Sequence, residues 1–194
     1  MPVAAPTTRL MEAERYSAAQ RRSIDAALEL FAENGVSGTS LQMIADAVGV
    51  TKAAVYHQFK TKDAIVLAVV EVVLARLEDA LEAAEAEPSR ERARAMMLRQ
   101  VIDLAVERRR WVHALQGDPV MVRLIVSHEP FLTLMGRVYG LLLDDEDDPA
   151  SQVRVAIISS AMGGAIVHPL VAGLDDDTLH TELTSVAARL FDLP

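Results

Sequence analysis

Apolar residues recur at three- and four-residue intervals along most of this chain, the period of helices buried on one side. The clearest stretch is 39–65. Leu41, Ile44, Ala45 and Val48 fall at i, i+3, i+4 and i+7. Gly49 follows, where a left-handed residue closes a helix. Val55 and Phe59 repeat at i, i+4 behind Thr51, a capping residue. Thr39-Ser40-Leu41-Gln42 reads as a capping box, with Thr39 at the N-cap and Gln42 at N3. Thr61 caps the next helix, and Asp63 lies in a first turn that favours negative charge. Helix, glycine turn, helix is an arrangement that sets one helix end into a DNA major groove.

The same period predicts helices elsewhere. Residues 17–34 carry the inner stripe Ile24, Ala27, Leu28 and Phe31, and Gly35 ends them. A long helix is expected over 61–87, apolar nearly all round from Ile65 to Leu77. Pro88-Ser89 breaks it, and 90–109 follow, with Arg108, Arg109 and Arg110 at a helix C-terminus where cations suit the dipole. Gln116-Gly117-Asp118-Pro119 and His128-Glu129-Pro130 punctuate helices at 120–127 and 131–143. An acidic run, 144–148, leads to Pro149 at a helix start. It lacks the spacing of a calcium-binding EF-hand loop. Helices over 149–171 and 177–191 complete the chain. The fold class expected is all-α. A flexible tail (1–16) precedes a three-helix bundle holding the helix-turn-helix (17–62), then a larger helical ligand-binding and dimerisation domain (63–194).

Composition narrows the chemistry. The 194 residues include no Cys, which excludes disulfides, thiol catalysis and cysteine-based zinc sites. Hydrophobic residues make up 51%, too many for a disordered chain. The net charge of -9 is unusual for a DNA binder, but it is unevenly spread. Residues 1–62 hold seven basic and six acidic side chains, leaving -10 on the rest. No P-loop, dinucleotide-binding glycine pattern, nucleophile elbow or HExxH motif occurs. The five histidines show no metal-ligand spacing on one helix. No catalytic residue, metal or cofactor is expected, and the chain is read as a non-enzyme. Residues 155–174 are uncharged, but contain Ser, Gly, His and Pro with few large aliphatics, so a buried helix fits better than a membrane span. No secretory signal is visible, and a cytoplasmic location is expected.

The outward positions of 39–62 are rich in hydrogen-bond donors, and no acid occurs from Thr51 to Lys62. Lys52, Ala53, Ala54 and His57 are the candidates for base contact, and Thr39, Thr51, Tyr56 and Lys62 for phosphate; Gln42 joins the DNA-binding set. A plain helical hairpin with a polar face would not need so many donors on one edge. Phe31, Gly35, Thr39, Ile44-Ala45, Gly49-Val50-Thr51-Lys52, Tyr56, Phe59 and Lys62 together resemble the DNA-binding region of TetR-type transcriptional regulators. The resemblance covers about 17–70. Ala53 and Ala54 stand where that family often has Gly, Ser or Thr, and Val55 replaces a common Leu. These departures bear on the DNA sequence read, not on the fold.

The resemblance implies a homodimer bound to a palindromic double-stranded operator, responsive to a small effector, and acting as a repressor. Val153, Ile157, Ser160, Gly164 and Val167 recur at three and four, as do Leu179, Leu183, Val186 and Leu190. Two such helices, doubled by a twofold axis, make a four-helix interface. Methionines adapt to irregular cavities, and Trp and Tyr add polar handles. Met96, Met97, Trp111, His113, Met121 and Phe131 are therefore the candidate ligand residues, together with Met135, Tyr139, Met162 and His168. A small helical enzyme or a protein-interaction module built on the C-terminal body is the rival reading.

Overall fold

A computed structural model describes residues 15–112, 118–143 and 148–191. The expected tail, apart from Arg15 and Tyr16, and the acidic run up to Asp147 lie outside the described residues. Within them the chain is helical, with no strand. In chain order the helices are α1 (Ala18–Gly38), α2 (Leu41–Val48), α3 (Lys52–Gln58), α4 (Lys62–Glu85) and α5 (Arg90–Glu107). Then come α6 (Pro119–Val126), α7 (Glu129–Leu142), α8 (Pro149–Ile166), a 3-10 turn (Pro169–Val171) and α9 (Asp176–Leu190).

The helix ends follow capping chemistry. Ser17 and Gln20 form a reciprocal capping box at the start of α1. Gly35 adopts φ 71°, so α1 kinks there before one more turn to Gly38. Pro169 ends α8 earlier than expected: its missing N–H cannot continue the ladder, and His168 starts a 3-10 turn instead. Asp148 and Asp175 cap α8 and α9. The hydrogen bonds from Thr178 hold the Asp175 carboxyl below its ordinary value.

The described residues fall into two compact units, drawn from 1–79 with 113–132 and from 80–112 with 133–194. Two of the three boundaries fall inside α4 and α7.

In the first unit α1 packs on α2, α3 and α6. Its core holds Ile24, Ala27, Phe31, Ile44, Ala45, Val55 and Phe59, with Ile65, Val66 and Val69 from α4. Burial of this apolar surface is the main stabilising term, at roughly 1.5–3 kcal/mol per large side chain. Glu71 on α4 gathers three partners: the Tyr16 hydroxyl donates to it at 2.7 Å, Arg15 lies at 3.2 Å and His128 at 3.4 Å. Burial, then the hydrogen bond to Glu71, drive the Tyr16 hydroxyl well above its ordinary pKa.

In the second unit α5, α8 and α9 pack on one another around Met97, Leu98, Ile102, Leu179, Ala187 and Phe191. Arg109 donates to the Leu174 carbonyl and pairs with Asp176 at 3.2 Å, which fixes the approach to α9. Arg137 pairs with Glu85, and that bond holds the Glu85 carboxyl below its ordinary value.

Candidate nucleic-acid interface

The turn between α2 and α3 is built by three residues. Ser40 caps α2, accepting from Met43 N–H at 3.2 Å. Gly49 closes α2 at φ 76°, ψ 35°, a conformation that costs other L-residues free energy. Thr51 caps α3, accepting from Ala54 N–H at 3.2 Å. Val55 and Phe59 then turn inward, both buried. With that face fixed, a helix of period 3.6 must present Lys52, Ala53, Tyr56 and His57 outward. All four are exposed, Tyr56 at 53%, and Ala54 is half-buried at the edge. Lys60 lies 5.7 Å from the Tyr56 ring centroid, a cation over an aromatic face. The edge therefore offers two ammonium groups, a phenol, an imidazole and the free donor of the Thr51 hydroxyl. This is a donor surface suited to a phosphate backbone, with Ala53 small enough to approach a base edge.

The expected roles of three residues in this region are corrected. Thr39 does not cap α2; the cap is Ser40, one residue later. Thr39 is 2% exposed, and its hydroxyl donates to the carbonyls of Gly35 (2.8 Å) and Leu30 (3.1 Å), which the kink at Gly35 brings within reach. Buried and spent, it is not a phosphate donor. Gln42 is exposed, but its amide donates to Asp46 at 2.7 Å one turn on rather than closing a capping box. Lys62 is half-buried, and its ammonium donates to the carbonyls of Val36 (2.9 Å) and Thr39 (3.1 Å). It neutralises the end of α1, as cations do at helix C-termini. At most one of its three donors is left for a ligand.

A family model described as bacterial regulatory proteins, tetR family, matches residues 24–69, the segment whose geometry has just been given. Over this segment the chain is similar to the TetR family. It is 56% identical over 39 residues to the HTH-type transcriptional regulator AcrR of Shigella flexneri, covering 20% of this chain and 18% of that protein. It is 46% identical over 63 residues to SrpR of Pseudomonas putida, covering 32% and 28%. The matched stretch thus spans less than a third of these relatives' length. Solved structures extend the likeness to the fold of nearly the whole chain. PfmR of Thermus thermophilus superposes with TM-score 0.65 at 20% identity, covering 89% of this chain and 98% of that one. NalD of Pseudomonas aeruginosa gives 0.64 at 24%, covering 88% and 94%.

The body of the chain bears on the remaining expectations. Val153, Ile157, Ser160 and Gly164 lie exposed on α8, and Val186 and Leu190 on α9, with Ile157 at 55% and Val186 at 48%. Val167 and Leu183 are half-buried beside them. Leu179 is corrected: at 2% exposed it belongs to the interior of its own unit. Of the candidate ligand residues, Met97, Trp111 and Met121 are buried, and Phe131, Met135 and Tyr139 half-buried. The Trp111 Nε1 is buried with no hydrogen-bond partner among the described residues. Met121 and Phe131 belong to the first unit, and Met97, Trp111, Met135 and Tyr139 to the second. His168 is exposed, and its Nδ1 accepts from Leu170 N–H at 3.2 Å, so its ring caps the 3-10 turn rather than lining a cavity. His113 lies outside the described residues, as does the Met162 side chain. No cluster of three or more potential metal ligands occurs among the described residues, and no described helix is long and apolar enough to cross a membrane.

Proposed function

We propose that the chain is a cytoplasmic transcriptional regulator that binds a palindromic operator as a homodimer and is released by a small apolar or aromatic effector. The observation that carries this reading is the outer edge of α3: Lys52, Ala53, Tyr56 and His57 exposed over a buried Val55 and Phe59, with no acid from Thr51 to Lys62. Ala53, Ala54 and His57 address base edges, with Lys52 at the groove wall. Thr51, Tyr56 and Lys60 hold phosphate. Lys62 positions the head and contributes one remaining donor.

A dimer paired through the exposed stripes of α8 and α9 presents two copies of α3. They read half-sites about one DNA turn, roughly 34–36 Å, apart. The repressor sense is supported by NalD, a secondary repressor of a multidrug efflux pump. The unpartnered indole N–H of Trp111 supports an effector with a hydrogen-bond acceptor on an apolar body. A coupling of about 1–3 kcal/mol between effector and operator is enough to clear the site.

Selection of bound fragments from a random DNA pool tests the reading. Recovery of an inverted repeat, bound by two chains, is the expected result. Recovery of no common sequence, with weak binding to every fragment, would remove it.

A further inference from the structure

A groove of about 410 Å³ lies in the second unit between α5 and α9, and of the described candidate effector residues only Met96 lines it. Its walls are Arg92, Met96, Arg99 and Ile102 from α5, with Thr184 and Ala188 from α9. Arg92 and Arg99 are seven residues apart, so they project from one face of α5 two turns apart. Arg99 is exposed and has no hydrogen-bond or ion-pair partner among the described residues. Arg92 is exposed and reaches Glu87 only through Nε at 3.5 Å, so its terminal nitrogens have no partner among the described residues. Between them the floor is apolar, with Leu98 and Ile102 buried. Opposite stands Thr184, whose Oγ is buried without a hydrogen-bond partner. A helical threonine ordinarily returns its hydroxyl to a carbonyl one turn back.

We propose that this groove is a second small-molecule site, for an amphiphilic organic anion: an apolar ring or chain carrying one carboxylate or sulfonate. The anion sits between Arg92 and Arg99, whose fork geometry suits oxyanions. The apolar body lies on Leu98, Ile102 and Ala188, and the Thr184 hydroxyl meets an acceptor on the ligand. On a chain of net charge -9 the overall field repels such a ligand. Recognition therefore rests on these two side chains at short range. The site survives dimerisation as proposed above. Val186 and Leu190 each lie two residues beyond a groove residue, and two residues turn an α-helix by about 200°. The groove and the apolar stripe thus occupy opposite sides of α9.

The test uses the full chain and two dyes of similar shape: anionic 8-anilinonaphthalene-1-sulfonate and neutral N-phenyl-1-naphthylamine. The sulfonate should show a saturable phase of one dye per chain. Arg99→Gln, at an exposed position, should weaken that phase about tenfold, the loss of one charge-assisted hydrogen bond. The neutral dye should be little affected by the same change. Ala188→Trp, which fills the groove, should abolish the phase for both dyes. Operator affinity without dye should be unchanged in Arg99→Gln, which separates this site from the DNA-binding reading. Sulfonate binding unaltered by both variants, no saturable phase in the parent, or equal loss of both dyes in Arg99→Gln would each overturn the proposal.

Discussion

The backbone N–H of Ser37 donates to Oδ2 of Asp118 at 2.6 Å, and the Ser37 hydroxyl donates to Oδ1 at 3.1 Å, across 81 residues of sequence. The same carboxylate caps α6, accepting from Val120 N–H at 2.9 Å. One side chain thus ties the corner between Gly35 and Thr39, which leads into α2, to the start of another helix. Burial alone raises the Asp118 pKa, but the donors from Ser37, Val120 and Met121 outweigh it and hold the carboxyl below its ordinary value.

Asp118→Asn should therefore destabilise the chain by about 1–3 kcal/mol at neutral pH, the range for a buried charged hydrogen-bonding group. The sign with pH follows from the depressed folded pKa. Its contribution is fully present above the unfolded value, about 3.9, and is lost as pH falls through the lower folded value. Urea midpoints of parent and variant should converge below about pH 3.9. A gap that stays constant on acidification would show that the ionised carboxylate is not what holds Ser37.

Thr51 has two separable duties. Thr51→Ala loses the cap of α3, worth about 1 kcal/mol, and the phosphate donor. Thr51→Asp keeps a capping acceptor but sets a negative charge at the backbone of DNA. Thermal unfolding should recover in the Asp variant while operator binding falls below that of the Ala variant. If both measurements move together, the hydroxyl acts through the fold alone.

Lys62 and Lys52 should behave oppositely. Lys62→Ala strips two helix-end carbonyls of their donor and should cost about 1–2 kcal/mol in denaturant unfolding. Lys52→Ala should leave stability within about 0.5 kcal/mol, since the side chain is exposed and no bond to it enters the fold. It should make the log–log salt dependence of DNA binding shallower by about one unit. A large stability loss in Lys52→Ala is the outcome that contradicts this division.

Ile157→Asp places a charge in the exposed apolar stripe without touching the interior of the chain. Sedimentation should show monomers, with far-UV dichroism unchanged and operator affinity sharply reduced. Gly164→Leu adds a finer check. A Cβ at Gly164 meets nothing within 4 Å in the single chain, so the added side chain starts in open space, where a closely approaching second subunit would meet it. A fully dimeric Gly164→Leu protein would place the interface elsewhere.

Gly49→Ala isolates backbone strain. At φ 76° with nothing within 4 Å of a new Cβ, the substitution has no steric neighbour to displace. Its cost, about 1 kcal/mol, should come from the left-handed conformation alone. A Gly49→Asn variant, which tolerates that region better, should recover part of it in urea unfolding.

The sequence by itself determined the helical class, the order of the helices and the turn between α2 and α3. Those features rest on local rules: the spacing of Leu41, Ile44 and Val48, the left-handed Gly49, and the hydroxyl of Thr51 one turn from the N–H it caps. Inward Val55 and outward Tyr56 were legible for the same reason, because one apolar position fixes the rotation of a whole helix. The tertiary structure decided what sequence distance hides. Thr39 and Lys62 look like surface donors until the kink at Gly35 swings carbonyls from residues 30–39 into their reach. Leu179 shares the period of Val186, yet it packs inward, because periodicity gives a face and not its neighbour. Asp118 reads as turn punctuation, and only folding brings Ser37 to it. A carboxylate or ammonium is satisfied by whichever partner the fold delivers, and that partner lies 23 residues from Lys62 in one case and 81 from Asp118 in the other.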